Sequence, residues 1–207
     1  MKTKVYSLFP SSPNLKDLGE IAIALKNGAI LIYPTDTVYA LGCLSNNSKA
    51  LEKFAKLKNI KLEKAQLSFL FKDLSELSNY VKPINARAFR LLKQSLPGPF
   101  AFIMEAANKL PKPFHKRKTI GVRISNNPIL KELLPLLDAP LITSSLHDPD
   151  EVLVYTSDPE ELLSVWDEKV DVLIQAGAGG NIPSTVIDLT QDPFLILRKG
   201  LGNVDLL

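Results

Sequence analysis

A chain of 207 residues, 45% hydrophobic and 23% charged, is apolar enough to bury a core and too apolar to be wholly disordered. No apolar run approaches the ~20 residues that span a bilayer, and a single cysteine, Cys43, excludes intrachain disulfides and Cys-rich zinc sites. The net charge of +3 conceals an asymmetry: residues 1–137 carry 22 Lys and Arg against 9 Asp and Glu, net +13, and residues 138–207 carry 3 against 13, net −10.

Taken in chain order, strands and helices alternate. Leu15, Leu18, Ile21, Ala22 and Leu25 stand at helical spacing, and Asn27-Gly28 is a stop, so residues 15–26 are predicted helical. The apolar run 29–33 is predicted as a buried strand. Leu51, Phe54 and Ala55 make 48–58 a helix with Ser48 as its expected cap, and residues 67–71 a strand follows. Asp73-Leu74-Ser75-Glu76 has the form of a capping box. A helix over 84–94 ends at Leu96-Pro97-Gly98-Pro99, strands follow at 100–104 and 119–124, and Pro128 opens a helix expected to reach Leu137. Further strands are predicted at 140–143, 171–174, 184–189 and 194–198, with a helix opening near Ser157-Asp158-Pro159. The pattern implies one α/β domain, residues 1–207, with a mixed sheet flanked by helices. The opening residues have no secretory cleavage pattern, so a cytoplasmic address without a membrane partner is expected.

Four segments carry groups capable of chemistry. Pro34-Thr35-Asp36-Thr37-Val38-Tyr39 follows the carboxyl end of a buried strand, where open α/β sheets bind ligands, although such a cluster is ordinarily a turn bonding its own backbone. Lys53, Lys56, Lys58, Lys61 and Lys64 leave a helix into a loop, placed either to meet phosphates or to solvate a helix face. Lys109, Lys112, Lys116, Arg117, Lys118 and Arg123 run without an intervening acid. Arg123 lies inside a predicted strand, where an unpaired charge is costly, so it needs an anion: an internal carboxylate or a ligand's. Ser184-Thr185 and Arg198-Lys199-Gly200 bracket the last two strands. Gly177-Ala178-Gly179-Gly180 lacks the Lys-Ser/Thr of a phosphate loop and reads as a turn. His115 and His147 have no metal-ligand spacing, Trp166 reads as core, and Cys43 as a buried, inert thiol.

Together, YPTDTVYALG at 33–42, the lysines at 56–61, LPGPF at 96–100, KTIGVRISNNP at 118–128, PLITSS at 140–145, STVIDL at 184–189 and LRKG at 197–200 resemble, in order, the motifs of the YrdC-like family, which includes threonylcarbamoyl-AMP synthases. KDLSEL, TIGVR and the lack of a second domain resemble its YciO-like branch. The resemblance implies an open, twisted α/β domain with a positively charged concave surface. It implies the reaction of ATP, L-threonine and bicarbonate to threonylcarbamoyl-AMP and pyrophosphate, with Mg²⁺ on the ATP, in tRNA threonylcarbamoyladenosine modification alongside partner proteins. It gives Thr35, Arg123 and Ser184, with Tyr39 nearby, to threonine, and Lys58, Thr119, Ser144 and Arg198 to the nucleotide. No protein nucleophile is implied. Three positions depart from the family pattern: Ile60 replaces the arginine of Lys-x-Arg, Leu146 the asparagine of Ser-x-Asn, and Ala101 a threonine. The alternative expectation is a YciO-like protein that binds double-stranded RNA or tRNA without this synthesis, through Lys53, Lys56, Lys61, Lys116, Arg117 and Lys118.

Overall fold

The computed structural model describes residues 2–63, 65–108, 110–146 and 157–206, so Lys64, Lys109 and His147 lie outside the described residues. Ten strands form one mixed sheet in the order β1-β8-β2-β3-β7-β4-β6-β5-β9-β10. The strands are β1 (Lys4–Ser7), β2 (Leu31–Tyr33), β3 (Ala40–Leu44), β4 (Ser68–Leu70), β5 (Phe100–Glu105), β6 (Thr119–Arg123), β7 (Leu141–Ser145), β8 (Val172–Gln175), β9 (Thr185–Asp188) and β10 (Leu195–Arg198). The helices are α1 (Leu15–Lys26), α2 (Ser48–Leu57), α3 (Leu74–Ser78), α4 (Ala86–Ser95), α5 (Pro128–Leu133) and α6 (Pro159–Trp166). Among the described residues no helix is long and apolar enough to cross a membrane.

The period-two alternation of side chains divides the core between the two faces of the sheet. Ile32, Leu41, Phe69, Ile142, Val122 and Phe102 point to one face, where they meet Phe54 of α2, Leu77 of α3, Leu91 of α4 and Leu162 of α6. Leu31, Tyr33, Leu44, Leu70 and Leu141 point to the other, under Leu18 and Ile21 of α1 and Ile129 and Leu133 of α5. Only the β1-to-β4 half of that second face is packed in this way. Among the described residues no helix packs with the half made by β6, β5, β9 and β10 on that face, and it is there that polar side chains replace apolar ones.

The structure corrects the sequence reading at several places. The pattern predicts no strand at Lys4–Ser7 or Ala40–Leu44, yet β1 pairs parallel with β8, and β3 lies between β2 and β7. The helix expected to run from Pro128 to Leu137 stops at Leu133 and tightens into a 3-10 turn over Leu134–Leu136 around Pro135. Its Pro128 occupies the first turn, where the missing N–H costs nothing. Glu76 does not complete a capping box: Asp73 Oδ1 accepts from the Glu76 amide at 2.7 Å, but Glu76 Oε2 reaches the amide of Lys72 at 2.9 Å.

The cap of α2 is Asn47, not Ser48: Asn47 Oδ1 accepts from the Ala50 amide at 3.1 Å and its Nδ2 donates to the Lys26 carbonyl at 3.2 Å. Asn47→Ala is therefore expected to lower the stability to urea by about 1 kcal/mol, while Ser48→Ala leaves it within a few tenths. The reverse order would return the cap to Ser48.

Candidate functional site

The polar half of the second face forms an open cleft of about 530 Å³, a volume ordinary for a small-molecule site. In β6, Ile120 and Val122, and Ile124 just after it, enter the core while Thr119, Gly121 and Arg123 line the cleft. Ala101 and Ile103 of β5, paired beside Val186 and Gly121, extend the floor. Gly121 allows a close approach: a Cβ there would stand 2.8 Å from Ser68 Oγ and 3.1 Å from the Leu67 carbonyl. Ser144 and Ser145 at the end of β7, Ser184 before β9 and Arg198 of β10 complete the polar lining.

Arg123 is the centre of the site. Its side chain is 12% exposed and pairs with Asp36, 10% exposed, through Nη2 and Oδ1 at 3.2 Å. The same nitrogen lies 3.3 Å from Thr37 Oγ1, and its Nε is buried without a partner among the described residues. Burial pulls the guanidinium pKa down, and the Asp36 carboxylate opposes that pull. Asp36 is itself held: Oδ1 accepts from Ser125 Oγ at 2.8 Å, and Oδ2 from the Asn126 amide at 3.3 Å. The loop after β2 is thus stitched to the loop after β6. Below them, Tyr33 Oη donates to Thr143 Oγ1 at 2.6 Å, and desolvation pushes the phenol up to about 12.

The expected site residues do not all converge. The Thr35 hydroxyl donates to the Val38 carbonyl at 2.7 Å and accepts from the Thr37 amide at 3.0 Å, so it closes its own turn. Thr35 faces a separate hollow of about 280 Å³. Thr37, whose Oγ1 lies 3.0 Å from Thr35 Oγ1, lines that hollow too but also reaches the cleft, with its Oγ1 3.5 Å from Ser184 Oγ. Tyr39 donates to the Gly177 carbonyl at 2.8 Å and accepts from the Ala176 amide at 3.1 Å, so it anchors the glycine-rich loop. That loop is a packing element: a Cβ on Gly180 would run into the Thr37 carbonyl. Arg198 lines the cleft while Nε and Nη2 donate to the Ser184 carbonyl at 3.1 and 2.9 Å. Thr119 and Ser144 also line it. Lys58, the residue after α2, donates from Nζ to the Ser145 carbonyl at 3.2 Å and so reaches the cleft wall from behind.

Of the three departing positions, Ile60 and Leu146 pack against the first core, and Ala101 lies on the cleft floor. Lys53 is remote from the cleft, paired with Asp171 at 3.5 Å. Lys56, Lys61 and Lys116 are exposed, and Lys118 is exposed on the cleft rim. Arg117 turns inward and donates to the carbonyls of Leu62 and Ala65. Trp166 packs against the core, and Cys43 is buried with its thiol pKa pushed up by desolvation. Among the described residues no three His, Cys, Asp or Glu side chains gather as a metal cage. The sequence reading places Asp36 and Thr37 either at a ligand end of the sheet or in an ordinary turn and singles out neither; it gives no signal for Thr143, which lines the cleft, or for Ser125, which holds Asp36.

The cleft lining includes three arginines, Arg117, Arg123 and Arg198, the last of which adds to the downward pull on the Arg123 guanidinium, together with hydroxyls that include those of Thr37, Thr119, Ser144 and Ser184. Such a lining suits an anionic ligand recognised by forked donors. Residues 23–200 match the Sua5/YciO/YrdC family, described as "Telomere recombination". YciO of Escherichia coli strain K12, described as an uncharacterized protein, is 35% identical over 204 residues, 98% of either chain. The crystal structure of E. coli YciO superimposes with a TM-score of 0.90 at 34% identity, covering 99% of this chain and 98% of that one. P. abyssi Sua5 complexed with L-threonine, at 23% identity, shares the fold with a TM-score of 0.80 over 96% of this chain and 58% of its own. Full-length HypF in its phosphate- and nucleotide-bound form shares it with a TM-score of 0.69 at 21% identity, over 83% of this chain and 27% of its own. With the family match spanning most of the chain and the YciO likeness running end to end, the chain belongs to the Sua5/YciO/YrdC family and to its YciO-like branch.

Proposed function

We propose that the cleft binds L-threonine and ATP side by side and makes threonylcarbamoyl-AMP, as a step of tRNA modification. The observation that carries this reading is the buried Arg123 on the cleft floor: one nitrogen is held by Asp36 and Thr37, and Nε has no partner among the described residues. A guanidinium held in this way offers an edge to a carboxylate, which restores the hydrogen bonding that burial removed. A fold neighbour complexed with L-threonine and another in a phosphate- and nucleotide-bound form support the same ligand classes.

The chemistry asks for positioning rather than a protein nucleophile. The threonine amine condenses with bicarbonate, losing water, to a carbamate. A carbamate oxygen attacks the α-phosphorus of ATP, the bond to the bridging oxygen of the β-phosphate breaks, and pyrophosphate leaves. Arg123 grips the amino-acid carboxylate. Thr37, rather than the turn-bound Thr35, and Ser184 receive the polar end of threonine. Arg198, Thr119 and Ser144 face the phosphates. Mg²⁺ carried on the ATP would offset phosphate charge, and Thr119 and Ser144 would be the hydroxyls available to it; among the described residues no carboxylate cluster stands ready to hold the ion alone.

The test is pyrophosphate release from ATP, Mg²⁺ and bicarbonate by the purified protein, with and without L-threonine. Threonine-dependent release is expected. No release, with a known synthase active in parallel, overturns the reading. The exposed Lys56, Lys61, Lys116 and Lys118 then favour the RNA-binding alternative, whose affinity must fall steeply with salt.

A further inference from the structure

Between α2 and β4 the chain runs ten residues, 58–67, with little secondary structure of its own, yet Glu63, Ala65, Gln66 and Leu67 form one wall of the cleft. Leu62 is the buried apolar anchor in its middle. Its first amides bond back to α2, those of Lys58, Asn59 and Ile60 to the carbonyls of Phe54, Lys56 and Ala55, and further on Ala65 donates to the Lys61 carbonyl at 2.9 Å and Leu67 to the Ala65 carbonyl at 3.0 Å. Across from it, Arg117 precedes β6 between two exposed lysines, and it alone of that basic triplet points inward. Its Nη2 donates to the carbonyls of both Leu62 and Ala65. Its guanidinium carbon lies 5.2 Å from the ring centroid of Phe114, which is fully buried and meets Phe69 of β4 edge-on at 5.2 Å.

We propose that Arg117 is a strap: a positioning residue that ties the α2–β4 connection to the core through Phe114 and so fixes the wall of the cleft that faces Lys118 and Thr119. Its charge is spent on two backbone carbonyls, which gives it a different task from the neighbouring exposed lysines. Two carbonyls bound by one cationic nitrogen are stronger partners than neutral hydrogen bonds of the same geometry, and the ring stack keeps the fork from swinging out to water. Arg117 also lines the cleft, and its Nε is buried without a partner among the described residues. The wall therefore sits where a ligand's phosphate oxygens can complete the strap. This consequence for catalysis rests on the synthase reading; the strap itself does not.

Amide hydrogen exchange followed by mass spectrometry separates the two. Arg117→Ala is expected to speed exchange at Ala65 and Leu67 about tenfold or more, with the β-sheet amides unchanged. Arg117→Lys, which keeps a cation but loses the fork and the ring stack, is expected to fall between Ala and wild type, and it carries the test if the alanine variant does not fold. Exchange at Ala65 and Leu67 that stays at the wild-type rate in both variants overturns the strap, as does a rise spread evenly over the chain. In turnover, the variants are expected to raise the KM for ATP with kcat within about twofold, since the wall orients ligand and touches no reacting atom. If wild type shows no turnover, the exchange result stands by itself and the function alone has failed. Weakened RNA binding with unaltered exchange would reassign Arg117 to the RNA backbone.

Discussion

Arg123→Ala is expected to lower kcat/KM for threonine-dependent pyrophosphate release by about 10²- to 10³-fold, the loss usual when a buried charged donor is removed from a developing or bound anion. The loss is expected in the threonine dependence, with the KM for ATP nearly unchanged, because Arg198, Thr119 and Ser144, the groups proposed to face the phosphates, still line the cleft. Arg123→Lys keeps the charge but not the fork, and should recover only part of the activity. Steady-state kinetics over both substrates, on protein shown to be folded by its urea transition, decides the matter. Turnover that survives Arg123→Ala would mean that Asp36 is this arginine's whole purpose, and the carboxylate assignment would fall.

The second large effect is on stability. Asp36→Ala leaves the Arg123 guanidinium buried with Thr37 as its remaining hydrogen-bond partner. Breaking one side of a buried pair costs about 3–5 kcal/mol, far more than the pair itself contributes, because the surviving charge has lost water and partner together. The urea midpoint should fall accordingly. The double change Asp36→Ala with Arg123→Met removes both charges and is expected to regain most of that loss. If the double variant is no more stable than Asp36→Ala alone, the coupling between the two residues is absent and the loss comes from the stitching of Asp36 to Ser125 and Asn126. The same pair of variants bears on function, since Asp36 is the carboxylate that holds the Arg123 guanidinium in place.

Arg123 also shows how far reading without coordinates reaches. Its alternation with Ile120, Val122 and Ile124 is a period of two, which already places it on the opposite face from the core. What that opposite face meets is another matter. The counter-ion is Asp36, 87 residues earlier, in a segment whose composition is equally that of an ordinary turn. Thr35 and Thr37 are the same residue type two positions apart. Only the path of the loop turns one hydroxyl onto its own backbone and the other into the cleft. Arg117 stands in the same position relative to its lysine neighbours: three adjacent cations look alike as text, and burial next to Phe114 separates the middle one.

Elements whose stability is local were legible. Helix α1 spans the 15–26 that its apolar spacing and the Asn27-Gly28 stop predict, because such signals act within the nearest turn: Asn14 caps the start, and Gly28 takes a φ of +94° that other residues resist. β3 was not legible. Ala40-Leu41-Gly42-Cys43-Leu44 has low intrinsic strand preference and no alternation, since every one of its residues is buried, and its strand character comes from β2 and β7 on either side. By itself, then, the sequence determined most of the α/β alternation, the span of α1, the motif order that marks the family and the set of polar residues available. Tertiary structure decided which half of one sheet face stays clear of helices, which hydroxyls and cations meet there, and which are spent on backbone. Those outcomes depend on contacts between residues 52 to 147 positions apart, and no local propensity carries information over that separation.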